Sequence, residues 1–318
     1  MAIAVPKRRL FGRTKRPGAA REALVGYAFV FVPMAVFLLF FIYPIGYAVY
    51  ISRYDWGILG PLENLGWKNY SHLWHDTLFR RAIKNTIEYT VWVVPAQMAL
   101  GLLLAVVVNQ RIKFRTFFRG AFYFPAIASS AAISTIWIFI MNPFGLFNQV
   151  RGILGLNPLF ALIGFGANQD WLGDYHTAMN GIIILNAWTT SGTFMIFYLA
   201  SLQAIPHEVY EAAAIDGAGA WDTFRRITFP LLRPGHFFVA TVGVIGGLQL
   251  FDQAVQIGNV DGAPANSLMT LVLYLYNAAF KRLQYGSAAA AGVVLFLIIF
   301  AATLIQRRLF EGREPATA

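Results

Sequence analysis

Five stretches of this chain pass through twenty or more residues without one charged side chain: 24–51, 89–108, 120–141, 178–205 and 286–305. A sixth, 237–257, is interrupted by a single charge, Asp252. About 20 apolar residues in helical form cover the ~30 Å hydrocarbon layer of a bilayer. Only 13% of the residues are charged, roughly half the share of a soluble domain. The chain therefore reads as an all-α integral membrane protein with six transmembrane helices. The run 268–280 is too short to span and reads as an outer-face helix or a re-entrant piece. The first run follows a basic segment, as a signal peptide does. It is far longer than the ~7–15 residues of a signal core, however, and ends in large residues, so it is retained as a span.

The net charge of +10 would suit a nucleic-acid partner if it lay on one soluble face. It does not. Most of the 25 lysines and arginines sit in the N-terminal tail (Lys7, Arg8, Arg9, Arg13, Lys15, Arg16, Arg21), after the second span (Arg111, Lys113, Arg115, Arg119), after the fourth (Arg225, Arg226, Arg233) and at the C-terminus (Arg307, Arg308, Arg313). The positive-inside rule puts all four segments, and both termini, in the cytoplasm. The expected layout is a basic cytoplasmic tail at 1–23 lying near lipid headgroups, a six-helix domain at 24–309 and a cytoplasmic tail at 310–318. Nucleic acid is excluded as a partner, and the lack of cysteine removes disulfides and thiolate metal sites.

The segment 206–234, PHEVYEAAAIDGAGAWDTFRRITFPLLRP, is a polar helix–turn–helix between the fourth and fifth spans. Pro206 suits a first helical position, and Glu208 and Glu211 sit where the helix dipole favours acids. Ala212, Ala213 and Ala214 form helix readily and leave a shallow surface for close docking. Gly217 is the natural left-handed end of that helix. Trp221 and Phe224 share one side of the next, and Asp222 is spaced to pair with Arg225 or Arg226. Pro230 and Pro234 break the pattern before the fifth span.

This segment resembles the EAA loop of permease subunits in binding-protein-dependent ABC importers. The family form is Glu-Ala-Ala, three residues, Gly, nine residues, Ile, one residue, Leu-Pro. Glu211-Ala212-Ala213, Gly217, Ile227 and Pro230 match it in spacing, with Phe229 in place of Leu. The resemblance implies the type I importer permease fold, with Glu211, Ala212, Ala213, Asp216 and Gly217 coupling the chain to a cytoplasmic ATPase. It also implies a second permease subunit of different sequence, two ATPase subunits and an extracytoplasmic solute-binding protein. The chain has no GxxxxGK[ST] phosphate loop. It is therefore expected to be no enzyme and to hold no cofactor, with ATP and Mg bound by the partner ATPase.

Polar residues inside spans are costly and face cavities or partner helices. In the fifth span Gln249, Asp252, Gln253 and Gln256 follow i, i+3, i+4, i+7 spacing, one continuous helical stripe. Asn186, Thr189, Thr190 and Thr193 form another in the fourth, with Ser191 alongside, and the third adds Ser129, Ser130 and Ser134. Ser130, Thr189, Thr190, Thr193, Gln249, Asp252 and Gln253 are the expected cargo path. Amides, hydroxyls and one carboxylate near Trp188, Phe194 and Phe251 suit a neutral sugar, since no lysine or arginine lies in these two spans to hold an anion. The competing reading of these groups is hydrogen-bonded glue between helices.

The stretch LQLFDQAVQI, then GNVDGAP, then LYLYNAAFKRLQYGSAAAA is similar to the carbohydrate-uptake permeases of the maltose and glycerol-phosphate type. In that family Phe251-Asp252-Gln253 borders the translocation path. The loop Val260-Asp261-Gly262-Ala263-Pro264 departs from the family's Thr-Gly-Gly-Gly-Pro. Glycerol-3-phosphate or another small solute is the alternative cargo. A secondary transporter using Asp252 as an ion site is the alternative class, but no inverted repeat supports it. His72, His75 and Asp76 are too few for a metal site, and His176, His207 and His236 stand alone.

Overall fold

The computed structural model describes residues 19–110 and 113–311. Most of the basic tail, Arg111 and Arg313 lie outside the described residues. Among the described residues the first in a helix is Ala19 and the last is Glu311. The chain divides into two units, Met1–Tyr50 and Ile51–Ala318.

The described part of the first unit is a single apolar helix. Segments α1 (Ala19–Phe37) and α2 (Tyr43–Ile51) are joined by a π-helical turn, Leu38–Ile42, and aromatic rings stack along it at Phe37–Phe41 and Tyr43–Tyr47. The second unit opens with a β-hairpin, β1 (Tyr54–Gly57) and β2 (Gly60–Asn64), the one departure from an all-helical chain among the described residues. Aromatic residues at Tyr54 and Trp56, with glycines bracketing the turn, favour the strand form there. The Asn69 side chain in α3 (Lys68–His75) donates 2.9 Å hydrogen bonds to the carbonyls of Ser52 and Tyr54 and ties the hairpin down.

The core is built on α4 (Thr77–Asn109) and α9 (Ala178–Gln203). Asp76 caps α4 by accepting from the Leu78 and Phe79 amides, and its second oxygen accepts from Tyr274 Oη at 2.6 Å. The ends of the two helices match: Arg81 lies over the Tyr175 ring just before α9, and Asn109 and Leu202 meet in one cavity at the far end. α4 and α9 therefore run parallel. They approach closely at Gly101, where a Cβ would stand 2.6 Å from that of Phe194. α9 carries apolar residues on every side, as a helix enclosed by others must; Ile182, Leu185, Phe194, Met195 and Tyr198 are all buried.

The run 120–141 is not the straight span its composition suggests. Helices α5 (Arg115–Ile127) and α6 (Ser130–Met141) meet at 93° across Ala128 and Ser129. Pro125 has no amide hydrogen to continue the ladder, which weakens the helix just before the bend. Beyond it lie α7 (Leu146–Ile153) and α8 (Asn157–Leu162), packed around the buried Arg151. After α9 come the short helices α10 (His207–Ile215), α11 (Ala220–Thr223) and α12 (Phe229–Leu231), with a π-turn at Phe224–Thr228.

The fifth span is broken as well. α13 (Arg233–Leu248) stops, and α14 (Asp252–Gly258) starts after three non-helical residues. α15 (Leu271–Tyr276) and a π-turn to Lys281 account for the short run near 268–280; Leu268, Met269, Leu271 and Leu273 are buried. α16 (Tyr285–Glu311) closes the chain. Five helices among the described residues are long and apolar enough to cross a membrane, six when the bent α5–α6 pair counts as one. The protein is a multi-pass helical membrane protein.

Candidate functional site

The break in the fifth span makes the site. Backbone left unpaired at membrane depth must be satisfied by protein or by water in a cavity. Here Thr270 Oγ1 donates to the Leu250 carbonyl at 2.7 Å, while the amides of Gln249 and Leu250 bond back to Gly246 and Gly247. Non-helical backbone at 249–251 opens onto a cavity of about 330 Å³. Tyr89 and Gln97 of α4, Asn186, Thr190 and Phe194 of α9, and the Gln249–Gln253 stretch line it. A second cavity of about 160 Å³ adjoins, lined by Ser130, Ile133, Thr189, Thr193 and again Asn186, Thr190 and Gln253. Gln253 Nε2 donates to Ser130 Oγ at 3.0 Å between them. That bond joins the start of α14 to the start of α6, each just past a break in its span.

All seven residues expected along a cargo path therefore lie on these two cavities: Thr190, Gln249, Asp252 and Gln253 on the larger, and Ser130, Thr189, Thr190, Thr193 and Gln253 on the smaller. Phe194 and Phe251 supply apolar faces in the larger cavity. Trp188 lines neither, and stacks on Trp137 at 6.5 Å.

The continuous stripe does not exist in the form expected. Because the helix stops at Leu248, Gln249 stands apart from the others, and Gln256 is exposed and touches neither cavity. Asp252 is exposed in this chain at the positive end of α14, rather than buried within a helix. Ser129 is exposed at the bend, and Ser134 is buried away from the cavities. Gln97, a lone amide in an apolar run, went unread: it is buried and donates to the Asn186 carbonyl at 3.2 Å. The Asn186 amide nitrogen is buried and has no partner among the described residues, which leaves a free donor at the wall shared by both cavities.

The segment 206–234 forms a second candidate region at the end of α9. Pro206 caps α10 from outside it, not from its first turn. Gly217 sits at φ +75°, where a side chain is strained, and the Ala218 amide bonds the Ala213 carbonyl while the Gly217 amide bonds that of Ala214. That pair of bonds is the Schellman ending, which satisfies the last carbonyls of the helix. Glu211 pairs with His207 at 3.0 Å, Asp222 with Arg226 at 3.3 Å, and Trp221 stacks on Phe224. Glu211, Ala212, Asp216 and Gly217 are exposed, but Ala213 is turned inward and buried, so the alanine run presents Ala212 and Ala214 only. Ile215 and Trp221 project beside them, the kind of exposed apolar pair that marks an interaction surface. Behind the loop, Tyr198 Oη meets His236 Nδ1 at 3.0 Å and the Phe229 ring packs on that imidazole, linking the loop to α9 and α13.

At the opposite ends of α4 and α9, Asp261 in the divergent loop pairs with Lys281 at 2.5 Å. His75 bonds Ser71, Asp76 is occupied as a cap, and among the described residues no group of three His, Cys, Asp or Glu could hold a metal.

Residues 97–313 match the family model of the binding-protein-dependent transport system inner membrane component, a stretch that holds the 206–234 segment and every cavity-lining residue named above except Tyr89. The probable ABC transporter permease protein YurN of Bacillus subtilis is 34% identical over 92% of this chain and 99% of its own. The arabinooligosaccharides transport system permease protein AraP of the same organism is 35% identical over 87% and 86%. The lactose transport system permease protein LacF of Rhizobium radiobacter is 34% identical over 91% and 94%. In fold, the chain is similar to one from a bacterial ABC transporter that imports the acidic polysaccharide alginate, with a TM-score of 0.78 over 94% of this chain and 99% of that one, at 21% identity.

Proposed function

This chain belongs to the family of binding-protein-dependent transport system inner membrane components, a transport permease, and from that premise we propose that it forms half the pore of an ATP-driven importer for a neutral sugar or oligosaccharide. The observation that carries the cargo class is the lining of the two cavities. Amides, hydroxyls and one carboxylate surround Phe194 and Phe251, and among the described residues no lysine or arginine reaches either space. Hydroxyl pairs of a sugar fit those acceptors and donors, and its apolar ring face fits the aromatics. An anion would meet Asp252 with nothing to offset it. The cargo of the alginate system is acidic, but that likeness carries the fold alone.

In this reading the exposed side of the larger cavity is closed by a second permease subunit of different sequence. An extracytoplasmic binding protein delivers cargo to the face of the β1–β2 hairpin. Two ATPase subunits hold ATP and Mg and grip Ala212, Ala214, Ile215 and Trp221 from the cytoplasm, where both termini also lie. The chain itself hydrolyses nothing and carries no cofactor. Movement of α10 passes through the Schellman turn and the Phe229–His236–Tyr198 contacts into α9 and α13, whose side chains wall the cavity.

The test is uptake by proteoliposomes holding the assembled complex and its binding protein, with neutral oligosaccharides compared against oligouronates of equal length. Uptake of the neutral series that needs both ATP and the binding protein is expected. Preference for the uronates would sink the cargo class, and uptake without ATP would sink the importer.

A further inference from the structure

At the foot of α9, outside both candidate regions, two arginines lie together without an acid. With the Gln203 amide oxygen turned towards them, Arg115 Nη2 and Arg119 Nη2 each donate to it at 3.3 Å. The Nε atoms of both guanidinium groups are buried and have no partner among the described residues. Neither arginine takes part in an ion pair among the described residues, and the sequence from 89 to 169 contains no Asp or Glu. One neutral oxygen shared by two like charges leaves both short of acceptors, a costly arrangement for groups partly withdrawn from water. Arg115 also opens α5, so the positive end of that helix dipole adds to the same sign. The arrangement lacks an anion.

Its surroundings indicate which anion. Phe114 and Phe117, on either side of Arg115 in sequence, are exposed and place side chains suited to hydrocarbon on the same stretch as the basic pair. Neither arginine lines the cavities assigned to cargo. We infer that Arg115, Arg119 and Gln203 hold the phosphate of an anionic phospholipid at the membrane face that carries the 206–234 loop. Two guanidiniums offer paired N–H donors to phosphate oxygens, which lysines could match only as point charges. Gln203 is the last residue of α9, and Pro206, the cap of α10, follows within three residues. A lipid held there steadies the link between the cavity wall and the docking helix. That consequence rests on the proposed function; the binding itself does not.

The test is native mass spectrometry of the purified full chain in micelles containing phosphatidylglycerol, or phosphatidylcholine in its place. Wild type should retain phosphatidylglycerol in preference. The double variant Arg115→Gln/Arg119→Gln should lose affinity on the order of thirtyfold, from about 1 kcal/mol for each basic residue near the headgroups. Arg115→Lys/Arg119→Lys, which keeps the charge but not the paired donors, should fall between the two, and this separates lost charge from lost fold. Equal retention by wild type and the glutamine variant would overturn the inference. Displacement of the lipid by millimolar inorganic phosphate would overturn the lipid as the source. Unchanged lipid retention by the glutamine variant, together with loss of the ATPase subunit when that variant is purified as the assembled complex, would assign the arginines to a protein contact instead.

Discussion

Gly217 shows how much one backbone angle constrains. Its φ of +75° is a conformation that costs an L-residue about 1–2 kcal/mol, yet nothing lies within 4 Å of where its Cβ would stand. Strain, not collision, is therefore the penalty, and the two substitutions Gly217→Asn and Gly217→Val should separate. Asparagine tolerates the left-handed region and should keep ATP-driven uptake near wild type; valine should uncouple it while membrane insertion continues. Equal uptake by all three would reduce the loop to a linker. Asp252 is constrained by chemistry instead. If it accepts from cargo hydroxyls, Asp252→Ala should lower uptake about tenfold, the size of one charge-assisted hydrogen bond. Asp252→Asn, which keeps an acceptor oxygen, should lower it less, with complex yield unchanged in both. A fall in yield for both variants would mean that the carboxylate pairs with a base on the partner subunit.

At the scale of elements, the breaks matter more than the helices. Removing the Thr270 hydroxyl strands the Leu250 carbonyl and unties the first turn of α15, where the same oxygen accepts from the Leu273 amide at 3.2 Å. Thr270→Val should cost about 1–3 kcal/mol in a thermal melt of the purified chain, and Thr270→Ser clearly less; equal losses would point to packing and not to the hydrogen bond. Both breaks were hard to read from residues alone. Gln249, Asp252, Gln253 and Gln256 have helical spacing whether or not the helix continues, so periodicity cannot report a gap at 249–251. The glycines at 243, 246 and 247 and the proline at 125 were the available signals, and glycine is common enough in membrane helices to carry little weight alone. Hydropathy located the spans because bilayer thickness dictates their length. Polarity located the cavity residues because polar groups within a membrane span must face something other than lipid. What composition could not supply was direction: Ala213 turning inward, Asp252 facing out, and Trp188 stacking on Trp137 all depend on how the helices pack.

For the molecule as a whole, the proposal joins two faces that lie at opposite ends of α4 and α9. One carries the β1–β2 hairpin with Leu59 fully exposed at its turn; the other carries α10 with Ile215 exposed at its end. The chain contains no cysteine, so a single one introduced at either place reports without background. The most direct measurement is cross-linking in sealed membranes from cells making the whole complex, using Ile215→Cys and Leu59→Cys in separate strains. Ile215→Cys should join the ATP-hydrolysing subunit and resist a membrane-impermeant thiol reagent applied outside. Leu59→Cys should react with that reagent and never join the ATPase. The reverse pattern, or an ATPase captured by neither cysteine, would contradict a permease driven through its 206–234 loop.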